Sequence, residues 1–185
     1  MRRIAELKLD HLVFLLLVAI AVVGRMGRPD WNFTPVAAAA LFAGFYFRSR
    51  WVAGLVPLAA LAISDFAEPV HNSLSVQLTV WVAMFLPALM GPWLRTAGES
   101  RLDGRRTMFA SLIPSAVFFV LTNFAVWAAG SGLTYAPGVT GLVECYAVAI
   151  PFYTNMLAGD LFYTGLLFGA WAVVGQGRQV NAAAG

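Results

Sequence analysis

Charge is what this sequence has least of. Only 11% of its residues are Asp, Glu, Lys or Arg, against 60% that are hydrophobic, whereas soluble domains carry about 25% charged and about 45–50% apolar residues. So few charges cannot cover the water-facing surface of a soluble domain, and a mean hydropathy of +0.76 points the same way. Cysteine and histidine are scarce too. The one cysteine, Cys145, excludes an internal disulfide and a cysteine-based zinc cluster. The two histidines, His11 and His71, stand far apart, and neither belongs to a ligand-like cluster. No HExxH, no GxSxG and no glycine-rich phosphate loop occurs. These absences leave no cofactor and no metal to expect, and they argue against an enzyme.

What the chain has instead is a series of long apolar runs separated by short polar pieces. A membrane-spanning helix needs about 20 apolar residues, within a range of about 17–25. The runs predict an all-α, polytopic membrane bundle occupying 1–185 as one transmembrane domain, with six transmembrane helices at about 9–23, 34–47, 51–65, 76–94, 108–129 and 152–174. The organising stretch is the hairpin from Trp31 to Asp65, turned by the basic Arg48-Ser49-Arg50. The first run follows Arg2, Arg3 and Lys8, but no small-residue cleavage site follows it, so an uncleaved first helix is expected. Pro151 lies in an apolar region too long for one straight span. A mid-helix proline removes a hydrogen bond, so a short surface or re-entrant helix at 142–150 is expected ahead of the last span.

The net charge of +3 gives no reason to expect nucleic acid, because the basic residues sit in the connections, where they act as topology signals. Alternate connections collect Arg2, Arg3, Lys8, Arg48, Arg50, Arg95, Arg101, Arg105, Arg106 and Arg178 on one side, and only Arg25 and Arg28 on the other. By the positive-inside rule both termini are cytoplasmic. The expected location is therefore the inner, or plasma, membrane, with an even number of passes through the lipid bilayer.

With that orientation the polar residues fall at or near the outer half: Asn32, Thr34, Asp65, His71, Asn123, Trp127, Glu144, Asn155, Asp160 and Tyr163. Ionisable groups in hydrocarbon are costly and usually face a bundle interior or a watery cavity, which predicts an outward-facing pocket made by these residues. Plainer readings stand beside this one. Asp65 at a helix end and His71 in a loop suit solvated positions. Asp160, well inside its span, needs a partner, and Arg25 or Arg28 in a structural ion pair is one. Asn123 and Trp127 share a helix face and suit interhelical glue and an interface anchor as well as ligand contact. Glu144 and Asn155 face alike only if Pro151 does not swing one away. Carboxylates outnumber basic groups in this set, which favours a neutral or cationic ligand. The pairs Ala39 with Ala43, Ala40 with Gly44 and Gly165 with Gly169 have the small-xxx-small spacing of close helix packing, within this bundle or against another subunit.

The segments WNFTPVAAAALFAGFYF, VPLAALAISD, TNFAVWAAG and GLVECYAVAIPFYTNMLAGDLFYTGLLFG resemble an uncharacterised family of small bacterial membrane proteins that carry these blocks in the same order. The hairpin TPVAAAALFAGFYFRSRWVAGLVPLAALAISD more distantly resembles that of the substrate-binding S components of energy-coupling factor transporters. That resemblance implies six helices, an outward-facing pocket for a vitamin or related micronutrient, and a transmembrane coupling subunit with ATPases as partner. Helix 1, LVFLLLVAIAVVG, lacks the AxxxA docking motif of those components. The expected function is a membrane-embedded small-molecule-binding subunit of a transporter. A structural subunit of an envelope assembly is the alternative, and an intramembrane enzyme using paired carboxylates ranks third.

Overall fold

The computed structural model describes residues 2–67, 73–95, 103–130 and 132–183. Six helices account for nearly all of them: α1 (Arg2–Met26), α2 (Val36–Tyr46), α3 (Arg50–Ala67), α4 (Leu74–Met90), α5 (Gly104–Gly130) and α6 (Val139–Ala183), with a short 3-10 turn, Gly91–Leu94, extending α4. Five of the six are long and apolar enough to cross a membrane. The exception is α2, whose 11 residues reach about 16 Å at 1.5 Å per residue, roughly half of a bilayer's hydrocarbon core of about 30 Å.

This short helix is the centre of the bundle. Every residue from Val36 to Phe45 is buried, as expected for a helix that is apolar all round, and α1, α3, α4 and α6 all pack on it. Its alanines and glycine let the neighbours come close. A Cβ added at Gly44 would lie 2.0 Å from the Ala88 carbonyl oxygen of α4, and one added at Gly91 would lie 2.1 Å from the Gly44 carbonyl carbon. Of the small-residue pairs in the sequence, Ala39 with Ala43 and Ala40 with Gly44 thus serve internal packing. Gly165 and Gly169 do not, because a Cβ at either meets nothing within 4 Å.

Side-chain contacts fix how the helices run. At one end, Phe14 of α1 and Phe168 and Trp171 of α6 gather around Phe42, Phe45, Tyr46 and Phe47 at the C-terminal end of α2. Arg95 closes that end. Its Nε donates to the Phe45 carbonyl at 2.8 Å and its Nη2 to that of Phe47 at 3.1 Å, so a cation meets carbonyls that the helix itself leaves unpaired. Arg95→Leu is expected to lower stability by about 1–3 kcal/mol, read as a lower unfolding temperature in detergent micelles. Arg48, Arg50, Arg105 and Arg106 lie at this basic end. At the opposite end, Arg25 of α1 reaches Asp65 of α3, and α4 and α6 begin there.

Two expectations change. The apolar region beyond Gly138 is a single helix through Pro151, without a separate element at 142–150. The physical reason is α5, which holds α6 on both sides of the proline: Cys145 Sγ donates to the Asn123 carbonyl, Tyr146 Oη to the Val120 carbonyl, and Ser115 Oγ to Asp160. One lost backbone bond does not outweigh that pairing. The second expected span, 34–47, is shortened at its start because the chain from Trp31 to Pro35 is not helical.

Candidate functional site

That non-helical stretch builds the site. It connects α1 to the short α2, and it is wedged between α1 and α6. A Cβ at Gly24 would lie 2.4 Å from Pro35 Cγ, and one at Gly159 would lie 3.1 Å from the Thr34 backbone nitrogen. Two glycines thus make room for irregular backbone beside the transmembrane helices. Such backbone occurs at membrane depth only where protein buries it or a cavity receives it. Asn32 adopts φ 63°, the one described non-glycine residue with positive φ. Asn tolerates this left-handed conformation better than most residues, and strained positions of this kind cluster at ligand sites.

Two adjoining cavities open on this segment. The larger, about 180 Å³, is walled by Val76, Val80, Phe118, Phe119, Val126 and Phe152, with Asn32, Thr122, Asn123 and Tyr153 supplying the polar groups. The smaller, about 70 Å³, has Arg25, Arg28, Trp31, Asn32 and Thr34 on its polar side and Leu61, Val80, Met84, Phe118 and Met156 beneath them. Asn32, Val80, Phe118 and Met156 belong to both. The walls are apolar and the polar groups few, the usual composition of a small-molecule site.

The polar groups are unequally committed. Thr122 donates to the Phe118 carbonyl, and the Asn123 amide nitrogen to that of Phe119 at 2.8 Å, leaving the Asn123 side-chain oxygen as an acceptor. Arg25 is tied down. Its guanidinium pairs with Asp65 at 2.5 Å and donates to Ser64, while Trp81 Nε1 and Gln77 Nε2 donate to the other Asp65 oxygen at 2.9 and 3.5 Å. This network joins α1, α3 and α4 at the cavity rim. Arg28 donates to the Arg25 carbonyl at 2.7 Å, and its guanidinium lies over the Trp31 ring, 4.9 Å from the centroid. Trp31 itself is 57% exposed.

A family model described as a family of unknown function, DUF6580, matches residues 5–183. The chain belongs to this family. No curated protein and no solved structure matches it.

In the DUF6580 chain, Asn32, Thr34 and Asn123 from the sequence-predicted set line the cavities. Asp65 stands behind the wall as the partner of Arg25. Asp160 is 2% exposed and accepts a 2.6 Å hydrogen bond from Ser115 Oγ. It has no ion pair with Arg25 or Arg28, since Arg25 is drawn to Asp65 at the end of the neighbouring α3. Tyr163 packs on Phe33 at 5.6 Å, holding the loop from behind. Trp127 rests against Phe124, and its Nε1 is buried without a partner among the described residues. Glu144 is exposed, and Asn155 is half-buried outside both linings. His71 lies outside the described residues. Among the described residues no carboxylate lines either cavity, whereas Arg25 and Arg28 line the smaller one.

Arg25, Arg28 and Thr122 are cavity residues that sequence reasoning missed as such. Arg25 and Arg28 count in the sequence as topology charges. Thr122 carries a weak signal, being next to Asn123 and one turn beyond Phe118.

Proposed function

We propose that this protein is a membrane-embedded subunit that captures a small molecule in the paired cavities around Asn32. One observation carries the reading: an irregular segment, held between Gly24 of α1 and Gly159 of α6, presents Asn32 in the left-handed conformation to both cavities. Backbone irregularity at half-helix ends marks binding sites in membrane carriers. The cavities of about 70 and 180 Å³ fall below the roughly 300–1,000 Å³ of drug-sized pockets and suit a ligand on the scale of a single ring. Trp31 and Tyr153 offer aromatic faces; Asn32, Thr34 and Asn123 offer hydrogen bonds. With the Arg25 charge balanced by Asp65, the largely apolar lining favours a neutral ligand.

The distribution of Arg and Lys orients the cavity end outward in a bacterial inner membrane, with both termini in the cytoplasm. A role like that of a transporter S component, handing a micronutrient to a coupling subunit with ATPases, fits this orientation. A structural subunit is the second reading, favoured by Gly104, Gly165 and Gly169, whose open faces no packing among the described residues requires.

Thermal-shift measurements against vitamins, their precursors and modified bases test the capture reading. A ligand at a hundredfold excess over Kd stabilises the native state by about 2.7 kcal/mol. The shift is expected in the wild type and lost in Asn123→Ala and Asn32→Gly, the latter keeping the backbone conformation. A wild type unmoved by the whole panel, or shifts that persist in both variants, would count against it.

A further inference from the structure

The α5–α6 seam carries a line of buried polar side chains for which ligand capture has no use. Thr107, Ser111 and Ser115 of α5, and Asp160 and Thr164 of α6, are each at most 8% exposed. On α5 the first three recur every fourth residue, one face of a helix, and Thr164 follows Asp160 at the same spacing. Ser115 and Asp160 are hydrogen-bonded at the centre of this line.

The line lies between two openings. Phe118 and Met156, floor residues of both cavities described above, lie about one helical turn from Ser115 and Asp160 on the same helices, roughly 4.5–6 Å away along the axis. One turn in the other direction, Ser111 and Thr164 line a separate groove of about 440 Å³ that runs to Gly104, Gly169 and Ala172 toward the basic end. The Thr164 hydroxyl is buried and has no partner among the described residues. Asp160 of α6 therefore sits opposite the middle of α5, about one turn from a cavity toward each end.

Among the described residues its surroundings hold no fixed countercharge. The α5 segment from Thr107 to Gly130 contains no titratable residue. From Val36 to Phe45 α2 is apolar, and the loop at Phe33 and Thr34 is uncharged. On α6 itself the nearest titratable groups are Tyr153 and Tyr163, whose rings pack on Phe119 and Phe33. Arg25 is committed to Asp65 across α1 and α3. Carboxyl groups inside membrane bundles that lack a cation partner commonly belong to ion paths and proton relays.

We propose that Asp160 is the proton-exchange site of a hydroxyl-lined path along the α5–α6 seam, through which the protein carries protons between the two sides of the bilayer. A proton from water in one opening binds an Asp160 carboxylate oxygen, Ser115 donating to the carboxyl throughout, and leaves to water on the other side past Thr164 and Ser111. The pH gradient or membrane potential drives it, and no other reactant is consumed. Ligand capture at Asn32 does not depend on this path.

The test uses the full-length protein in phosphatidylcholine–phosphatidylglycerol vesicles holding a pH-sensitive dye, with a potassium diffusion potential set by valinomycin. Wild type is expected to pass protons several times faster than vesicles without protein, Ser115→Ala to slow the flux severalfold, and Asp160→Asn to return it to the empty-vesicle level. If Asp160→Asn fails to fold, Asp160→Glu takes its place, with flux expected to persist. Infrared difference spectra are expected to show a carboxyl band that responds to pH in the wild type and is missing in Asp160→Asn. Wild-type flux no faster than in empty vesicles, flux unchanged in Asp160→Asn, loss of flux in a folded Asp160→Glu, or a carboxyl band indifferent to pH would each overturn the proposal.

Discussion

Arg25→Leu is expected to destabilise the protein by about 3–5 kcal/mol, the cost of leaving a buried charge without its partner. The side chains of Arg25 and Asp65 are 12% and 5% exposed, and their contact is 2.5 Å. Without the guanidinium, Asp65 keeps the Trp81 and Gln77 donors alone among the described residues, and Ser64 loses its charged partner. Three helices meet at this network, so the loss acts on the bundle rather than on one side chain. Replacing both partners by leucine is expected to recover much of the stability, because buried ion pairs are often exchanged for apolar side chains at little cost. Thermal unfolding of the two variants in micelles separates these effects. An Arg25→Leu variant within about 1 kcal/mol of wild type would show that this network is not holding the cavity rim together.

Gly44→Val is expected to be comparably damaging, through sterics. The first carbon of any side chain at Gly44 falls 2.0 Å from the Ala88 carbonyl oxygen, and backbone cannot yield as a flexible side chain does. Overpacking typically costs about 1–3 kcal/mol and occasionally more. Here it forces apart α2 and α4, the central helix and one of its main neighbours, so the upper end is expected. Gly165→Val, on the open face of α6, makes the internal comparison. It is expected to leave the unfolding temperature of the isolated protein nearly unchanged, and an equal loss in the two variants would contradict the packing described for α2.

Much of this architecture is legible from composition and spacing, and the departures have identifiable causes. Hydrophobic runs expose the helices because lipid leaves backbone no other way to satisfy its hydrogen bonds. The same rule hides the loop from Trp31 to Pro35. Its last two residues, Thr34 and Pro35, read as the start of the expected span at 34–47, and it is their packing against Gly24 and Gly159 that reveals non-helical backbone there. Pro151 misleads in the opposite sense, since a local break signal is overruled by the pairing of α6 with α5 on both sides. Among the site residues, Asn32, Thr34 and Asn123 are legible as polar groups beside apolar runs. Asp65 and Asp160 carry the same signal, yet each is turned toward a partner, Arg25 or Ser115, whose position only the packed helices determine. The serine at position 115 gives little hint by itself, although Thr107, Ser111 and Ser115 at every fourth residue do mark a polar face.

The central claim is that the cavities around Asn32 hold a small molecule, and native mass spectrometry of the protein extracted gently from its own membrane tests it most directly. The predicted result is a bound species of small mass in the wild type, absent from Asn32→Gly and Asn123→Ala samples that unfold at the wild-type temperature. A wild type that emerges empty while holding another membrane protein, with both variants behaving identically, would contradict the account and favour a structural subunit.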